Sequence, residues 1–308
     1  MKIDLHCHTT ASDGGLTPKE LVLRAENMQV DYLAITDHDT TAAIEPARQA
    51  AKRVQIIEGV EISTQWQGFD IHIVGLGFAL EHQVLQNALH EQRLKRDSRA
   101  REISIRLAKR GIEPVYADAL TLAQGGSVTR AHIAQVLVNR GKVKSFTQVF
   151  NQYMTRGKPG YVPNQWMSMA QAVALLHQAG GVAVLAHPLN YQLSNKWVRR
   201  LVSEFADVGG DAIEVGMPQL KPDHQRWLVD LANQHQLLAS VGSDFHRPMP
   251  WRELGRYLAL PETVSPVWQQ FLPDYDIKTK GECHESIFSG SSREPAVSIN
   301  ESSCRHHS

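Results

Sequence analysis

Short apolar runs bounded by turn residues recur along the chain. They are rich in Val, Ile, Leu and Ala and are more continuous than alternating, which is typical of parallel strands covered on both faces. The pattern therefore predicts strands at residues 3–5, 32–36, 54–62, 71–78, 181–186, 212–215 and 237–241.

Helical patterns lie between most of these runs. Thr17 precedes Pro18 and is followed by Glu20, an order that predicts an N-cap, a first helical position and a capping box. Ser168 opens a second helix that ends at the Gly-Gly pair 180–181, and Pro222 opens a third that runs to about residue 235. Strand and helix alternate about seven times, which predicts a βα-repeat barrel or an open parallel sheet with functional groups at the carboxyl ends of the strands.

Two stretches depart from this alternation. Residues 80–163 carry a long helical pattern at 81–110 and shorter ones at 132–139 and 146–153, so we predict an inserted helical lobe there. From residue 274 onward the chain is polar, Ser-rich and aperiodic, which indicates a disordered tail.

Composition narrows the class of protein. Of the 308 residues, 42% are hydrophobic and 21% charged, and 32 basic residues balance 32 acidic ones, so no overall field indicates a nucleic-acid coat or a membrane-surface protein. No segment resembles a signal peptide or reaches the roughly 20 apolar residues of a membrane span, and we expect a cytoplasmic protein. Three cysteines are too few for a disulfide framework or a four-cysteine zinc site.

Histidines and carboxylates collect at the predicted strand ends. His6 and His8 follow the first strand, and residues two apart in an extended chain point the same way, so both imidazoles can meet one ion while Cys7 packs on the opposite face. Asp244 and His246 repeat this spacing after the last strand, and the sequence Asp37-His38-Asp39 closes the second. Three such clusters predict a metal site.

Further candidates lie in or just after apolar runs: Glu61, His72 and His187. A single buried histidine is more often a core residue, but burying these groups together without a cation would be costly. Imidazole nitrogens and carboxylate oxygens without thiolates suit Mn, Zn or Fe. No GxSxG motif supports a serine nucleophile.

The segments DLHCHTTASDG, AITDHDT, GVEIS, IHIVG, AHP and GSDFH resemble, in order and over roughly residues 1–273, the motifs of the polymerase and histidinol phosphatase (PHP) superfamily of metal-dependent phosphoesterases. GGSVTRAHIA and RGKPGYVP are similar to segments of its bacterial branch of 3′,5′-nucleoside bisphosphate phosphatases and 5′→3′ exoribonucleases. The resemblance implies an α/β fold, a distorted (βα)7 PHP barrel formed by residues 1–79 and 164–273, with a helical insertion domain for substrate recognition at 80–163 and a tail at 274–308.

The resemblance also implies three divalent metal ions, with Mn²⁺ expected and Zn²⁺ or Fe²⁺ as alternatives. Carried over by position, the ligand sets are His6, His8, Glu61 and Asp244; Glu61, His72 and His187; and Asp13, His38 and His246. Glu61 would bridge two ions, and Glu61, Asp244 and His246 would be the catalytic residues. Asp37 and Asp39 are predicted to orient the imidazoles.

The predicted insert contains candidates for phosphate binding. They are Arg130 in SVTRAH, and Arg156 and Lys158 in RGKPG. Glycine-flanked backbone can approach an anion while a guanidinium group binds two of its oxygens. A run of basic residues at 93–110 has two equal interpretations, a substrate surface or a solvated helix face. Tyr161 and Trp166 could stack on a base, although core packing is the commoner role of an aromatic side chain.

The resemblance implies removal of the 3′-phosphate from 3′,5′-bisphosphonucleosides such as pAp, and 5′→3′ hydrolysis of short 5′-phosphorylated RNA. The expected partners are then nucleoside bisphosphates and short RNA 5′ ends, without a membrane or a protein partner. Two alternatives stay open: a phosphatase for a small metabolite such as histidinol phosphate, and a metal- or nucleotide-binding module without turnover.

Overall fold

The structure, a computed structural model, describes residues 1–272, and residues 1–271 form one compact unit. The predicted disordered tail at 274–308 lies outside the described residues. Among residues 1–272, no helix combines the length and apolar character that crossing a membrane requires.

Eight strands and nine α-helices make up the described part of the chain. The strands are β1 (Ile3–Asp4), β2 (Tyr32–Ile35), β3 (Gln55–Trp66), β4 (Phe69–Leu76), β5 (Met167–Ser168), β6 (Val182–Leu185), β7 (Ala212–Gly216) and β8 (Leu238–Val241). The helices are α1 (Pro18–Asn27), α2 (Ile44–Ala50), α3 (Gln83–Ala108), α4 (Tyr116–Leu122), α5 (Arg130–Asn139), α6 (Phe146–Val149), α7 (Met169–Gln178), α8 (Asn195–Asp207) and α9 (Pro222–Gln234). A π-helical turn, Phe150–Met154, continues α6, and a 3₁₀ turn spans Val267–Gln270.

The helix starts predicted at Thr17 and Ser168 are confirmed by their caps, and α9 begins at Pro222 as predicted. The Thr17 hydroxyl accepts a hydrogen bond from the Glu20 backbone N–H, and the Glu20 carboxylate accepts one from the Thr17 N–H at 2.8 Å. Ser168 and Gln171 form the same reciprocal pair at α7. Each box satisfies backbone N–H groups that have no partner inside the helix.

The sheet is mixed, and the prediction of parallel strands is wrong for β4. Its order is β1-β2-β3-β4-β6-β7-β8, with β5 paired to β3, and β4 runs antiparallel to both β3 and β6. No helix separates β3 from β4: the two-residue turn Gln67-Gly68, with φ of 49° and 82°, joins Trp66 to Phe69. Two positive φ values are what a tight hairpin turn requires.

The two ends of the sheet approach each other. The Leu5 N–H donates to the Val241 carbonyl at 3.1 Å, the Asp244 N–H donates to the His6 carbonyl at 2.8 Å, and Cys7 and Phe245 form an isolated parallel bridge. These contacts place the segment after β1 beside the segment after β8. The mixed α/β class is confirmed by these strands and helices. In the described residues no ladder of paired strands closes the sheet, so the barrel stays a prediction.

Helices α3 to α6 lie between β4 and β5 in the chain, where the helical lobe was predicted. Fifteen buried hydrophobic residues from Ala100 to Met154 form a core of their own, while a larger core packs the sheet against α7, α8 and α9. These helices belong to the same compact unit as the sheet, so the domain boundaries stay a prediction. The sequence patterns did not predict α2, α4 or α8.

Candidate metal centre

The predicted ligands converge at one edge of the sheet. His6 and His8 follow β1, His38 follows β2, Glu61 and His72 lie within β3 and β4, His187 follows β6, and Asp244 and His246 follow β8. Cys7 alternates to the other face, where it is fully buried and its thiol lies 3.2 Å from the Ala34 carbonyl. The period-two geometry predicted for this segment is therefore confirmed.

Glu61 lies at the centre of the cluster and is only 1% exposed. One carboxylate oxygen, Oε1, is 2.7 Å from His72 Nδ1 and 2.9 Å from His187 Nε2. The other, Oε2, lies 3.1–3.4 Å from ring nitrogens of three more histidines, His6, His8 and His38. Five imidazoles therefore surround one carboxylate.

Two further carboxylates complete the cluster. Asp13 lies 3.4 Å from His246 Nε2 and 3.8 Å from both His8 Nδ1 and His38 Nε2. Asp244 Oδ1 lies 3.4–3.7 Å from ring nitrogens of His6, His8 and His246. The loop residue Asp13 is thus brought to the strand-end residues although it belongs to no strand.

Three groups of ligand atoms within 4.8 Å of one another could each hold an ion: His6, His8 and Glu61; His38, Glu61 and His72; and His8, Asp13, His38 and His246. Glu61 belongs to two of them, as the bridging prediction requires. The grouping differs from the predicted sets because His8 and His38 each belong to two groups. His187 and Asp244 contact members of the groups, so the assignment of each ligand to an ion stays a prediction.

The electrostatics of the centre favour ionised carboxylates. Burial would raise the pKa of Glu61, but electrostatic attraction to the surrounding imidazole rings holds that pKa well below its usual value. The pKa values of Asp13 and Asp244 are likewise well below their usual range despite burial, because imidazoles surround both. Conversely, burial opposes the charged form of His8, yet hydrogen bonds to Asp244 and Glu61 raise its pKa to about 10.

The donor atoms fit divalent metal ions. His6 Nε2 and His8 Nε2 face each other at 3.2 Å, and two nitrogens each about 2.1 Å from one ion lie roughly 3–3.4 Å apart at ordinary coordination angles. His38 Nδ1 is buried without a hydrogen-bond partner, 3.1 Å from Glu61 Oε2. A metal ion would bind several of these nitrogens and carboxylate oxygens at once. A proton can bridge only two of them.

Backbone strain accompanies the site. His187, Asp244 and Asp39 have φ values of 28°, 49° and 53°, in the left-handed region that residues other than glycine rarely adopt. Such conformations persist only where surrounding contacts hold them, and they cluster at functional sites. At His187 that contact is the backbone N–H, which donates to Glu214 Oε2 at 2.6 Å.

Sequence reasoning missed Glu214. This residue of β7 is 1% exposed, and its Oε1 lies 2.6 Å from His6 Nδ1. A histidine that ligates a metal commonly gives its other ring N–H to a carboxylate, which fixes the tautomer and the orientation of the ring. The signal available in the sequence was an acidic residue inside the apolar run AIEVG.

Asp37 and Asp39 contact different groups from those predicted. Asp37 accepts hydrogen bonds from the Thr9 backbone and hydroxyl and from the Ser12 hydroxyl, at 2.5–2.8 Å. Asp39 accepts from the Ser63 N–H at 2.9 Å and from the guanidinium of Arg96. Instead of orienting imidazoles, the first carboxylate holds the loop that carries Asp13, and the second holds an arginine of α3.

A cavity adjoins the centre, and we call it the arginine cavity. Its walls include Asp13, His38 and His72 from the centre, Arg96 and Arg99 from α3, Arg130 from α5, and the aromatic residues Phe150 and Trp166. The guanidinium groups of Arg96 and Arg99 lie 4.9 Å and 5.6 Å from the Trp166 ring centre. Of the three residues predicted to bind phosphate, Arg130 lines the cavity. Arg156 and Lys158 are exposed and do not line it.

The arginine cavity holds more positive than negative charge among its polar side chains. Arg130 Nη2 lies 3.1 Å and Arg99 Nη1 3.9 Å from the same oxygen of Asp70, while Arg96 pairs with Asp39. Burial, with repulsion from Arg130, lowers the pKa of the Arg99 guanidinium to about 10. Three guanidinium groups sharing two carboxylates favour a bound anion.

Comparison with known proteins agrees with this chemistry. The PHP domain family model matches residues 4–167. The chain is 53% identical over 270 residues to the 5′-3′ exoribonuclease Rnm of Escherichia coli, covering 86% of this chain and 92% of that protein. It is 39% identical over 272 residues to a 3′,5′-nucleoside bisphosphate phosphatase of Chromobacterium violaceum, covering 87% and 95%.

Solved structures show the same fold. An amidohydrolase from Chromobacterium violaceum, solved with bound sulfate and no metal, superposes with a TM-score of 0.82 at 38% identity, over 88% of this chain and 96% of that one. A Bifidobacterium adolescentis protein assigned as a metal-dependent phosphoesterase gives a TM-score of 0.70 at 27% identity, over 86% and 92%. The chain thus belongs to the PHP domain family and is a hydrolase with the fold of metal-dependent phosphoesterases.

Proposed function

We propose that the protein removes the 3′-phosphate of 3′,5′-bisphosphonucleosides such as pAp and hydrolyses short 5′-phosphorylated RNA in the 5′→3′ direction. The observation that carries this proposal is the arginine cavity, which shares Asp13, His38 and His72 with the candidate metal centre. A 5′-phosphate bound by the arginines would keep the 3′ side of the same nucleotide beside the metal ligands.

One site can serve both substrates. A 3′-phosphate monoester and the first phosphodiester of a 5′-phosphorylated RNA present the same 3′ O–P bond at the same distance from a 5′-phosphate. The names of the relatives, an exoribonuclease and a bisphosphate phosphatase, cover these two reactions. They support the proposal for this chain because both relatives match it over most of its length.

We further propose three divalent ions, with Mn²⁺ expected and Zn²⁺ or Fe²⁺ as alternatives. One ion would be held by each of the three groups described above: His6, His8 and Glu61; His38, Glu61 and His72; and His8, Asp13, His38 and His246. Ions in such positions activate water for attack on phosphorus and neutralise charge on the phosphate oxygens. Glu61 belongs to two of these groups and would help to hold both ions, as its contacts with His8 and His72 support.

Asp244 and His246 are set in place by their neighbours. Arg252 Nη1 donates to Asp244 Oδ2 at 2.7 Å and to its backbone carbonyl at 2.6 Å, which leaves Oδ1 turned toward the histidines. His246 Nδ1 lies 3.0 Å from the same carbonyl and must donate its proton there. The lone pair of His246 Nε2 is then available toward Asp13.

The arginines would act by binding and orientation. Arg96 is held by Asp39 and Ser63, and Arg99 Nε donates to the Val162 carbonyl at 3.0 Å. Guanidinium groups fixed in this way bind phosphate without first losing much side-chain freedom. A substrate that lacks a 5′-phosphate would form none of these charge-assisted contacts and should be a poor one.

The test is a comparison of substrates with the Mn²⁺-loaded protein. We expect efficient hydrolysis of pAp and of a 5′-phosphorylated RNA pentamer, and poor hydrolysis of 3′-AMP and of the same pentamer with a 5′-hydroxyl. Equal efficiency on pAp and 3′-AMP would contradict a 5′-phosphate site. Faster hydrolysis of histidinol phosphate than of pAp would favour the small-metabolite alternative, while the alternative without turnover is at odds with relatives that are named as enzymes.

A further inference from the structure

Arg247 lies at the edge of the candidate metal centre, on the side formed by the segment after β8. It directly follows His246, and the Gly15 N–H donates to the His246 carbonyl at 2.6 Å. A Cβ atom added at Gly15 would lie 3.5 Å from the Arg247 Cβ. Arg247 is therefore one residue from a candidate ligand and beside the loop that carries Asp13.

The Arg247 side chain is exposed and stacks on an aromatic ring. Its guanidinium lies 5.3 Å from the centre of the Phe146 ring of α6. Among residues 1–272, no carboxylate lies within 4.0 Å of it, whereas neighbouring Arg252 is paired with Asp244. Stacking orients the Arg247 guanidinium without neutralising its charge, so it can still bind an anion.

Phe146, the ring on which Arg247 stacks, lies on the same side of its helix as Phe150, which lines the arginine cavity. Phe146 and Phe150 are four residues apart, a spacing that places side chains on one side of a helix. Phe150 lines the cavity and lies 5.8 Å from the Arg130 guanidinium. Arg130 and Arg247 are thus stacked on successive aromatic rings, the first within the cavity and the second beside His246.

Trp251 adds an exposed aromatic side chain to this edge. It is 52% exposed and lies in the turn in which Met249 and Arg252 are bridged. Arg252, the next residue, anchors the turn by its hydrogen bonds to Asp244. Trp251 therefore belongs to a turn that Arg252 attaches to the centre, and about half of its surface is exposed.

We propose that Arg247 and Trp251 bind the part of an RNA substrate that lies beyond the scissile bond, Arg247 through the next phosphodiester and Trp251 by stacking on a base. This inference rests on the proposed function. With the 5′-phosphate in the arginine cavity and the scissile phosphate at the metal ligands, the rest of the chain must leave past residues that border those ligands, and Arg247 directly follows one of them, His246. An unneutralised cation and an exposed aromatic ring are the two groups that single-stranded RNA binds without regard to sequence.

The test compares pAp, which has nothing beyond the 3′-phosphate, with pApApA, which has a further phosphodiester. Arg247→Ala should lower kcat/KM for pApApA about 10-fold more than for pAp, mainly through KM, because a charge-assisted contact to phosphate is lost. The slope of log kcat/KM for pApApA against the logarithm of the salt concentration should also become shallower, by roughly 0.7. Trp251→Ala should likewise lower kcat/KM for pApApA about 10-fold more than kcat/KM for pAp, because a stacking contact to a base is lost.

Arg226→Ala is the matched control, because Arg226 is an exposed arginine of α9 whose ion-pair partner is Asp223. In this variant the ratio of kcat/KM for pApApA to kcat/KM for pAp should not change. Arg247→Lys, which keeps the charge, should restore part of the pApApA rate. An Arg247→Ala enzyme that loses both substrates equally, or neither, would overturn the inference. A wild-type protein that hydrolyses neither substrate would instead overturn the proposed function, so the two failures are distinguishable.

Discussion

The carboxylate of Glu214 and the imidazole of His6 form a buried contact, with Glu214 Oε1 2.6 Å from His6 Nδ1. Burial disfavours the charged form of His6, but the carboxylates of Glu214 and Glu61 together raise its pKa well above the usual value. The contact places the Nδ1 proton between the two side chains. His6 Nε2 then faces His8 and Glu61, where we propose that it binds a metal ion.

Glu214→Ala should weaken metal binding roughly 10- to 100-fold, which is the usual effect of removing the carboxylate behind a histidine ligand. Glu214→Gln, which keeps an acceptor but not the charge, should lie between Ala and wild type. The measurement is the dissociation constant for Mn²⁺ by calorimetric titration. Glu45→Gln, an exposed carboxylate of α2, is the control, and an unchanged affinity in Glu214→Ala would refute the role assigned to this contact.

Glu61→Gln should abolish turnover and lower the number of bound ions without unfolding the protein. Glu61 supplies contacts to two of the three ligand groups, and a neutral amide leaves the ions that face it with less compensating charge. Elemental analysis gives the ion count, and circular dichroism gives the fold. Full metal content and full activity in Glu61→Gln would show that the carboxylate is not shared between ions.

Arg130→Ala should lower kcat/KM for pAp by roughly 10- to 150-fold, the equivalent of about 1.5–3 kcal/mol for a charge-assisted hydrogen bond. Arg156→Ala should change it little, because Arg156 lies outside the arginine cavity. Activity on 3′-AMP should be low in wild type and fall little further. The reverse order of effects between the two variants would return the 5′-phosphate site to the RGKPG segment.

Glu26 provides a pH-dependent contribution to stability away from the centre. Its Oε1 accepts hydrogen bonds from the Arg53 and Lys52 backbone N–H groups, both at 2.7 Å, and they lower its pKa. Because the pKa is lower in the folded state, the stabilisation is present above the unfolded-state pKa and is lost as pH falls through the folded-state pKa. Glu26→Gln should therefore cost about 1 kcal/mol at pH 7, and the difference from wild type should shrink below about pH 4.

Urea unfolding of the two proteins at pH 7 and at pH 3.5 measures this difference. Comparing variant with wild type at each pH cancels the titration of the histidine cluster, which both proteins share. Glu45→Gln is again the control. A difference in unfolding free energy that stays constant between the two pH values would show that the Glu26 carboxylate is not stabilised by these backbone N–H groups.

The sequence by itself determined the features that depend on near neighbours in the chain. The capping box of Thr17 and Glu20 joins residues three apart, and the side-by-side imidazoles of His6 and His8 follow from the two-residue period of an extended chain. Apolar runs located the longer strands, and polar residues at their ends located the candidate ligands. These predictions need only local geometry, because the groups that meet are a few positions apart in the chain.

Only the tertiary structure decided which distant groups meet. The contact of His6 with Glu214 spans 208 positions, and that of Glu61 with His187 spans 126; neither leaves a local pattern. The basic run on α3 had two equal interpretations because a helix has several faces, and packing turned Arg96 and Arg99 into the cavity. Likewise the antiparallel β4 depends on how β3 turns back at Gly68, since an apolar run has the same period in either direction.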